Sequence, residues 1–380
     1  MSSLEFRATP FLAGSHRILQ SSEGIGEVSL ATVEKYANTL LDFGRNPERI
    51  TQITMTTLNQ PLSLAKRGRI AGQYSSDEGA VVFEGDCLQL LSTIPSGEID
   101  LVVTSPPYNL GKSYERRQGL KPYIAQQKSV IQECARVLKS TGSICWQVGN
   151  YVDDGAITPL DIVLFPIFIE LGFRLRNRIV WHFEHGLHCS RRLSGRYETI
   201  LWFTKGDDYH FDVDPIRVPQ KYPGKKYFKG PRAGEYSCNP LGKNPGDLWT
   251  IPNVKSNHVE KTEHPCQFPV ELIERLVLAL TRPGDRVLDP YLGVGTSVIA
   301  AIRHGRRGIG AEILPEYAKI SRDRIALAAE GSLEVRPMNR PVFDPQDAGK
   351  QLTTAPWNEI QSSGSQQILF DGGKEGRSPK

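Results

Sequence analysis

The chain has 380 residues, of which 39% are hydrophobic and 23% are charged, and its formal net charge is +4. This composition excludes a wholly disordered chain, and no segment approaches the ~20 apolar residues that a membrane span needs. The six cysteines are scattered without a C-x-x-C pair. We therefore expect no metal site and no secreted disulfide framework, but a soluble protein of a reducing cytoplasm.

The two ends of the chain show no recognisable chemistry. Residues 1–78 predict a partly helical extension, because apolar residues over 28–43 have helical spacing. Residues 333–380 are rich in Gln, Ser, Gly and Pro, a composition typical of disordered tails.

Between the ends, strand and helix patterns alternate from residue 80 onward. Strands are predicted at 80–84, 99–104, 143–148, 178–183, 198–204, 286–289 and 307–312. Helices are predicted at 88–94, 123–138, 160–171, 270–280, 298–304 and 317–329. The Lys-Ser-Thr-Gly segment at 139–142 is typical of a helix C-terminus. The alternation predicts an α/β sandwich with a mainly parallel sheet.

The strand at 99–104 ends in a Ser-Pro-Pro-Tyr segment, residues Ser105, Pro106, Pro107 and Tyr108. Two prolines cannot continue a hydrogen-bonded ladder, so the chain leaves the strand in a stiff turn. A hydroxyl, free carbonyl groups and an aromatic ring suit a flat polar ligand such as a nucleobase. An ordinary rigid loop fits these four residues equally well.

The alternation breaks between residues 207 and 263, where many Pro and Gly residues accompany a run of cations. A solvated surface insertion explains such a run. Cations interleaved with aromatic residues also suit contacts with phosphates and bases, and we favour nucleic acid as the partner. The expected contacts are Lys221, Lys225, Lys226, Lys229 and Arg232.

A strand, a G-x-G loop, a helix and a second strand follow from residue 286 to Glu312. Gly293 and Gly295 permit close approach of the backbone to a ligand, and the helix after them offers free N–H groups. Glu312 lies where an acid can accept the hydroxyls of a ribose. A dinucleotide site expects a further glycine where this chain has Val298, so a nucleoside without a pyrophosphate is favoured over NAD.

These two motifs, in this order, resemble those of the amino-methylating DNA methyltransferases, which transfer a methyl group from S-adenosylmethionine to N4 of cytosine or N6 of adenine. The resemblance covers about residues 80–328 and includes G-D at 85–86, R-Y-E-T-I-L-W-F-T-K at 196–205 and H-P-C-Q-F-P at 264–269. The catalytic motif precedes the cofactor glycines, with the basic segment between them. That order resembles the β-type permutation found in restriction–modification systems.

The resemblance implies a Rossmann-like, S-adenosylmethionine-dependent sandwich with a mostly parallel seven-stranded sheet, circularly permuted. The catalytic half would span 79–206, a target recognition insertion 207–263 and the cofactor-binding half 264–332. Double-stranded DNA would be the substrate and a cognate restriction endonuclease the partner. The protein would be a prokaryotic monomer or weak dimer without membrane association. The remoter alternatives are an RNA or protein-glutamine methyltransferase and a non-catalytic nucleic-acid-binding protein.

The resemblance also implies residue roles. Ser105 and the carbonyl of Pro106 would accept the amino hydrogens of a flipped base, and Tyr108 would stack on it. The methyl group would pass directly from the reactive sulfonium to the amino nitrogen, without a covalent enzyme intermediate. Asp86 would lie near the cofactor adenine and Glu312 at its ribose. The remaining implied cofactor contacts are Asp289, Tyr291, Gly293, Gly295, Thr296, His264, Gln267 and Pro269.

Other features bear on the chemistry and on the target base. Pro-Cys-Gln at 265–267 resembles the nucleophile motif of cytosine-C5 methyltransferases, but Cys266 precedes the cofactor glycines, and we expect a packing residue. Ser105 stands where adenine enzymes more often carry Asp or Asn, which favours N4 of cytosine. Asn109 and Gln267 are as typical of adenine enzymes. The preferred target is therefore cytosine N4, with adenine N6 as the alternative.

Overall fold

The computed structural model describes residues 70–109, 111, 117–186 and 188–342. Most of the predicted N-terminal extension (1–78) and of the predicted tail (333–380) lies outside these residues. None of the helices in the described part of the chain combines the length and the apolar character that a membrane span requires.

The strands follow the apolar runs of the sequence. In chain order they are β1 (Ile70–Ala71), β2 (Ala80–Glu84), β3 (Ile99–Thr104), β4 (Leu138–Val148), β5 (Asn150–Asp153), β6 (Ala156–Pro159), β7 (Arg174–His182), β8 (Tyr197–Thr204), β9 (Leu248–Thr250), β10 (Arg286–Asp289) and β11 (Arg307–Glu312).

The helices alternate with these strands, and a short 3-10 helix spans Asp214–Ile216. In chain order the α-helices are α1 (Cys87–Thr93), α2 (Leu120–Val137), α3 (Leu160–Glu170), α4 (Val270–Leu280), α5 (Thr296–Arg303) and α6 (Pro315–Glu330).

Within the described residues, nine strands form one sheet in the order β1-β2-β11-β10-β3-β4-β8-β7-β9, and β5 and β6 form a separate hairpin. Neighbouring strands from β1 to β4 are parallel, β8 is antiparallel to both β4 and β7, and β9 is parallel to β7. The predicted seven strands form the centre, and the two-residue β1 and three-residue β9 extend its edges. The predicted mostly parallel α/β fold is confirmed.

Side chains that alternate along the strands divide the core into two layers. Leu101 and Val103 of β3 pack on one face with apolar residues of α4, α5 and α6. Val102 packs on the other face with residues of α1, α2 and α3. Three helices therefore cover each face of the sheet, as the burial of a parallel sheet on both sides requires.

The predicted boundary between helix α2 and strand β4 is wrong. Helix α2 ends at Val137, and the chain passes directly into β4, where Leu138 pairs with Ile99 of β3. Gly142 is a strand residue without a left-handed backbone, so it does not end the helix. A Cβ at this position would lie 2.9 Å from the carbonyl oxygen of Asp100, so the close approach of the two strands explains the glycine.

The stretch from 207 to 263 is partly built into the sheet and core. Ile216, Trp249 and Ile251 belong to the buried layer under α4, and Trp249 lies in β9. Between them the chain makes a largely exposed excursion from about residue 217 to residue 247. The two ends of this excursion meet at Val218 and Lys243, a pair that we call its neck. Each of the two residues donates its N–H to the carbonyl of the other, at 3.0 and 2.9 Å.

Candidate active site

A cavity of about 730 Å³ opens beyond the carboxyl ends of β2, β3, β10 and β11. Its volume is in the range of small-molecule sites. The helix after β10 packs on one face of the sheet, and the helix after β3 packs on the other. The cavity therefore lies at a switch point, between neighbouring parallel strands whose following helices cover opposite faces of the sheet, which is where open α/β sheets bind ligands.

Asp289 joins the two motifs from behind the cavity. It ends β10, is fully buried, and accepts a hydrogen bond of 2.5 Å from Thr104 Oγ1 at the end of β3. The same carboxylate accepts the backbone N–H of Tyr291 at 3.0 Å and the hydroxyl of Ser297. Burial raises its pKa to about 6 against the opposing effect of these donors. Asp289 thus fixes the start of the G-x-G loop against the start of the Ser-Pro-Pro-Tyr loop.

The Ser-Pro-Pro-Tyr loop forms one wall of the cavity, and its tyrosine is held at the hydroxyl. The Tyr108 hydroxyl lies 3.0 Å from Ser105 Oγ and donates to Glu198 Oε2 at 3.0 Å. Gln147 Nε2 donates to the same Tyr108 hydroxyl at 3.2 Å and to Glu198 Oε2 at 2.5 Å. A Cβ at Gly149 would lie 3.0 Å from Tyr108 Cε2, so the glycine leaves room for the ring.

Asn109 ends this loop in a left-handed conformation, with φ of 60°. Its side-chain amide pairs with the backbone of Gln118: Nδ2 donates to the Gln118 carbonyl at 2.6 Å, and Oδ1 accepts the Gln118 N–H at 2.7 Å. Asn109 is 2% exposed, and its side-chain amide stabilises the conformation of the loop through these two hydrogen bonds.

Glu312 lies on the opposite wall at the end of β11. Its carboxylate accepts the backbone N–H of Gly293 at 2.8 Å and of Leu314 at 2.9 Å. Burial raises its pKa to about 7. Gly293 and Gly295 have left-handed backbones, with φ of 55° and 89°. Only Gly293 lines the cavity, whereas a Cβ on Gly295 would lie 3.2 Å from Ser321 Cβ of α6.

The polar groups around this wall suit a cationic ligand that also donates hydrogen bonds. Burial lowers the pKa of His264 to about 4, so its ring is uncharged near neutral pH and does not repel a cation. The ring packs on Tyr317 with centroids 4.6 Å apart. Gln127 donates to the Tyr291 hydroxyl at 3.1 Å, and its buried Oε1 has no hydrogen-bond partner among the described residues. That oxygen is an acceptor for a ligand N–H or O–H.

The structure brings most of the predicted site residues to this cavity. Its lining includes Ser105, Pro106, Pro107, Tyr108, Asp86, Tyr291, Gly293, Thr296, Glu312, His264 and Gln267. Three predicted residues do not line the cavity: Asp289 and Gly295, described above, and Pro269, the N-cap residue of α4.

Two of the lining residues also have structural partners. Asp86 caps α1 by accepting the N–H of Leu88 at 2.7 Å. The Gln267 amide is used on both sides, since Oε1 accepts from Thr262 Oγ1 and Nε2 donates to the carbonyl of Glu260, each at 2.8 Å.

Cys266 lies exposed at the cavity wall, so the prediction that it packs in the interior is wrong. Its N–H donates to His264 Nδ1 at 3.2 Å, in a tight turn. Among the described residues no three His, Cys, Asp or Glu side chains are grouped as a metal site would need.

The cations predicted to bind DNA are all exposed on the excursion: Lys221, Lys225, Lys226, Lys229 and Arg232. Several lie over aromatic rings, with Lys226 Nζ 5.1 Å from the centroid of Tyr236 and the Arg232 guanidinium 4.6 Å from that of Tyr227. Phe228 is 89% exposed beside them. These side chains form a surface outside the cavity.

Sequence reasoning did not assign roles to Gln127, Gln147 and Glu198. Gln147 interrupts the apolar end of β4, and Glu198 lies near the start of β8, just before its apolar run. A polar residue beside or within such a run is a signal of a buried hydrogen-bond network. The pairing of Gln147 with Glu198 depends on the antiparallel register of β4 and β8, which the sequence does not show.

Residues 99–323 match the family model described as DNA methylase, of the N6/N4 methyltransferase type. The chain belongs to this family. It is 54% identical over 241 residues to the type II methyltransferase M.BglII of Bacillus subtilis, covering 63% of this chain and 67% of that protein. It is 33% identical over 269 residues to the DNA adenine methyltransferase YhdJ of Escherichia coli strain K12, covering 68% of this chain and 86% of that protein.

The fold of the PvuII DNA methyltransferase, described as cytosine-N4-specific, is similar with a TM-score of 0.53 and 23% identity, over 69% of this chain and 96% of that one. Membership of the DNA methylase family supports the predicted cofactor, S-adenosylmethionine. A sulfonium nucleoside with donor groups fits three features of the wall: the uncharged His264, the acceptor Glu312, and the Gln127 oxygen that lacks a partner within the described part of the chain.

Proposed function

We propose that this DNA methyltransferase methylates the exocyclic N4 of cytosine within a specific sequence of double-stranded DNA. The observation that carries the proposal is the Thr104–Asp289 hydrogen bond, which holds the two motif loops at one cavity. The similarity to the type II methyltransferase M.BglII supports a modification role, in which methylation protects DNA from a cognate restriction endonuclease.

The mechanism follows from the chemistry of an exocyclic amino group, whose lone pair is delocalised into the base. When bound, S-adenosylmethionine supplies an electrophilic methyl group. Ser105 Oγ and the carbonyl of Pro106 accept the two amino hydrogens of a base flipped out of the duplex, which localises the nitrogen lone pair. Tyr108 stacks on the base. Positioning by these rigid groups supplies most of the acceleration, and no covalent enzyme intermediate is needed.

The structure weakens the sequence argument for adenine. Asn109 is engaged with the backbone of Gln118, and the Gln267 amide is engaged with Thr262 and Glu260. The two residues that were as typical of adenine enzymes are therefore committed to local structure. Ser105, which favours cytosine, faces the cavity. Adenine N6 is the second candidate, and the similarity to the adenine methyltransferase YhdJ favours it.

The test is to incubate unmethylated plasmid DNA of known sequence with isotopically labelled S-adenosylmethionine, and then to identify the modified nucleoside by mass spectrometry. We expect labelled N4-methylcytosine at one recurring sequence. Labelled N6-methyladenine would establish the second candidate. Label in RNA or protein but not in duplex DNA would refute the proposal.

The same assay tests the two assigned side chains. Ser105→Ala and Tyr108→Ala should lose methyl transfer while calorimetry shows cofactor binding close to wild type, because neither side chain lies on the Glu312 wall. Wild-type turnover in either variant would contradict its assigned role.

A further inference from the structure

The Tyr108 hydroxyl, Gln147 and Glu198 form a hydrogen-bond cluster behind the Ser-Pro-Pro-Tyr loop. Gln147 is 3% exposed and belongs to β4, whereas Glu198 lies at the start of β8. Both side chains line the cavity. The cluster therefore links the loop to β4 and to β8, whose Glu198 belongs to the R-Y-E-T-I-L-W-F-T-K segment.

The direction of the hydrogen bonds in this cluster is determined by its chemistry. The Tyr108 hydroxyl has one hydrogen, and it donates that hydrogen to Glu198 Oε2. Gln147 Nε2 can only donate, and it donates to the oxygen atoms of both Tyr108 and Glu198. In the 3.0 Å contact between the two hydroxyls, Ser105 must then be the donor and Tyr108 the acceptor.

This direction matters for the base. A Ser105 hydroxyl that points its hydrogen at Tyr108 presents only lone pairs elsewhere, which is what an amino group requires of its acceptor. A hydroxyl that received a hydrogen bond from Tyr108 would have its own hydrogen free to point at the amino group. That hydrogen would repel the amino hydrogens. A hydrogen bond from it to the nitrogen would engage the lone pair that must attack the methyl group, rather than localise that pair on the nitrogen.

We infer that Glu198 is a positioning residue that, through Tyr108, orients the Ser105 hydroxyl as a hydrogen-bond acceptor for the target amino group. Gln147 supports this orientation by donating to both partners, and Gly149 leaves room for the ring. The role needs an acceptor at Glu198 Oε2 and does not need a negative charge. The inference rests on the proposed function, because it takes the amino group of the base to face Ser105.

The inference makes an ordered prediction for four variants of the full-length protein. Glu198→Ala removes the acceptor, so the Tyr108 hydrogen turns to Ser105, and single-turnover methyl transfer should fall on the order of 100-fold. Glu198→Gln keeps an oxygen in the same place and should stay within a few-fold of wild type. Tyr108→Phe frees the Ser105 hydroxyl without reversing it, so its loss should be smaller than that of Glu198→Ala.

The decisive variant is the double substitution Glu198→Ala with Tyr108→Phe. Because the phenylalanine cannot donate to Ser105, the double variant should be more active than Glu198→Ala alone and similar to Tyr108→Phe. A merely structural role for Glu198 would instead make the double variant the least active. Glu170→Ala, at an exposed glutamate of α3, is the control for the loss of a surface carboxylate.

The assay is transfer of labelled methyl to unmethylated plasmid DNA with cofactor and DNA saturating, alongside their dissociation constants and the thermal midpoint of each variant. If Glu198→Ala does not fold, Glu198→Leu fills the space without an acceptor and replaces it. A double variant no more active than Glu198→Ala, or a Glu198→Gln as inactive as Glu198→Ala, overturns the inference. A wild-type protein that does not methylate DNA contradicts the proposed function itself, which separates the two failures.

Discussion

Glu312 is expected to lower the stability of the cofactor-free protein as the pH rises. Burial raises its pKa from the ordinary value of 4.5 to about 7. Between these pH values the folded protein holds a proton that the unfolded chain has released. The free energy of unfolding therefore falls as the pH rises through this window, and the loss is complete above about pH 7.

The magnitude follows from the size of the pKa rise. A rise from 4.5 to about 7 corresponds to about 3 kcal/mol at alkaline pH, since one pKa unit is about 1.4 kcal/mol. Glu312→Gln removes this cost, but it leaves one oxygen for the N–H groups of Gly293 and Leu314, at a loss of about 1 kcal/mol. The variant should be about 2 kcal/mol more stable than wild type near pH 8 and about 1 kcal/mol less stable near pH 4, below the ordinary pKa of the carboxyl.

Urea unfolding without cofactor, followed by tryptophan fluorescence at both pH values, measures this change of sign. Glu330→Gln, at the exposed end of α6, is the matched control and should change stability little at either pH. An effect of Glu312→Gln that is equal at both pH values would refute the reasoning. Calorimetry of the same variant should show weaker binding of S-adenosylmethionine, because the neutral amide is a poorer acceptor for ribose hydroxyls.

The remaining predictions concern the buried anchor, the exposed cysteine and the exposed excursion. Asp289→Ala leaves three buried donors without an acceptor, so urea unfolding should show a loss of about 2–4 kcal/mol; a loss below about 1 kcal/mol would contradict the anchoring role. Cys266→Ala should keep methyl transfer within about twofold of wild type; complete loss in this variant, together with a covalent DNA adduct trapped on the wild-type protein, would support C5 chemistry instead. Replacing Lys225, Lys226 and Lys229 with Gln should weaken plasmid DNA binding and lower its salt dependence by about one unit of slope per lost phosphate contact; an unchanged slope would show that these side chains do not touch DNA.

Much of the sheet could be predicted because its central strands are apolar runs between turn residues. β2, β3, β10 and β11 have the predicted bounds, and each is buried on both faces. The first residues of β4 were missed because Lys-Ser-Thr-Gly is polar and resembles a helix end. β9 was missed because three residues carry no periodic signal, and Trp249 is held there by pairing with Trp181 of β7.

The site was predicted less completely than the sheet, because hydrogen bonds between distant residues leave little trace in a sequence. Asp289 was expected beside the cofactor, yet its partner is Thr104, 185 residues away, and this contact exists only because β3 and β10 are neighbours. Gln147 and Glu198 are 51 residues apart and meet through the register of β4 and β8. The resemblance included Asp289 and the segment that contains Glu198, but not the hydrogen-bond partners through which they orient the loops.

The neck formed by Val218 and Lys243 has a consequence for how such an enzyme can diversify. A loop whose ends are fixed at one point can lengthen at little cost, since doubling its length adds only about 0.6 kcal/mol of closure free energy. A Cβ on Gly242 would lie 2.5 Å from the carbonyl oxygen of Val218, so the closure is tight. We expect residues between this pair to be exchangeable as a cassette, with the fold and the cavity left unchanged.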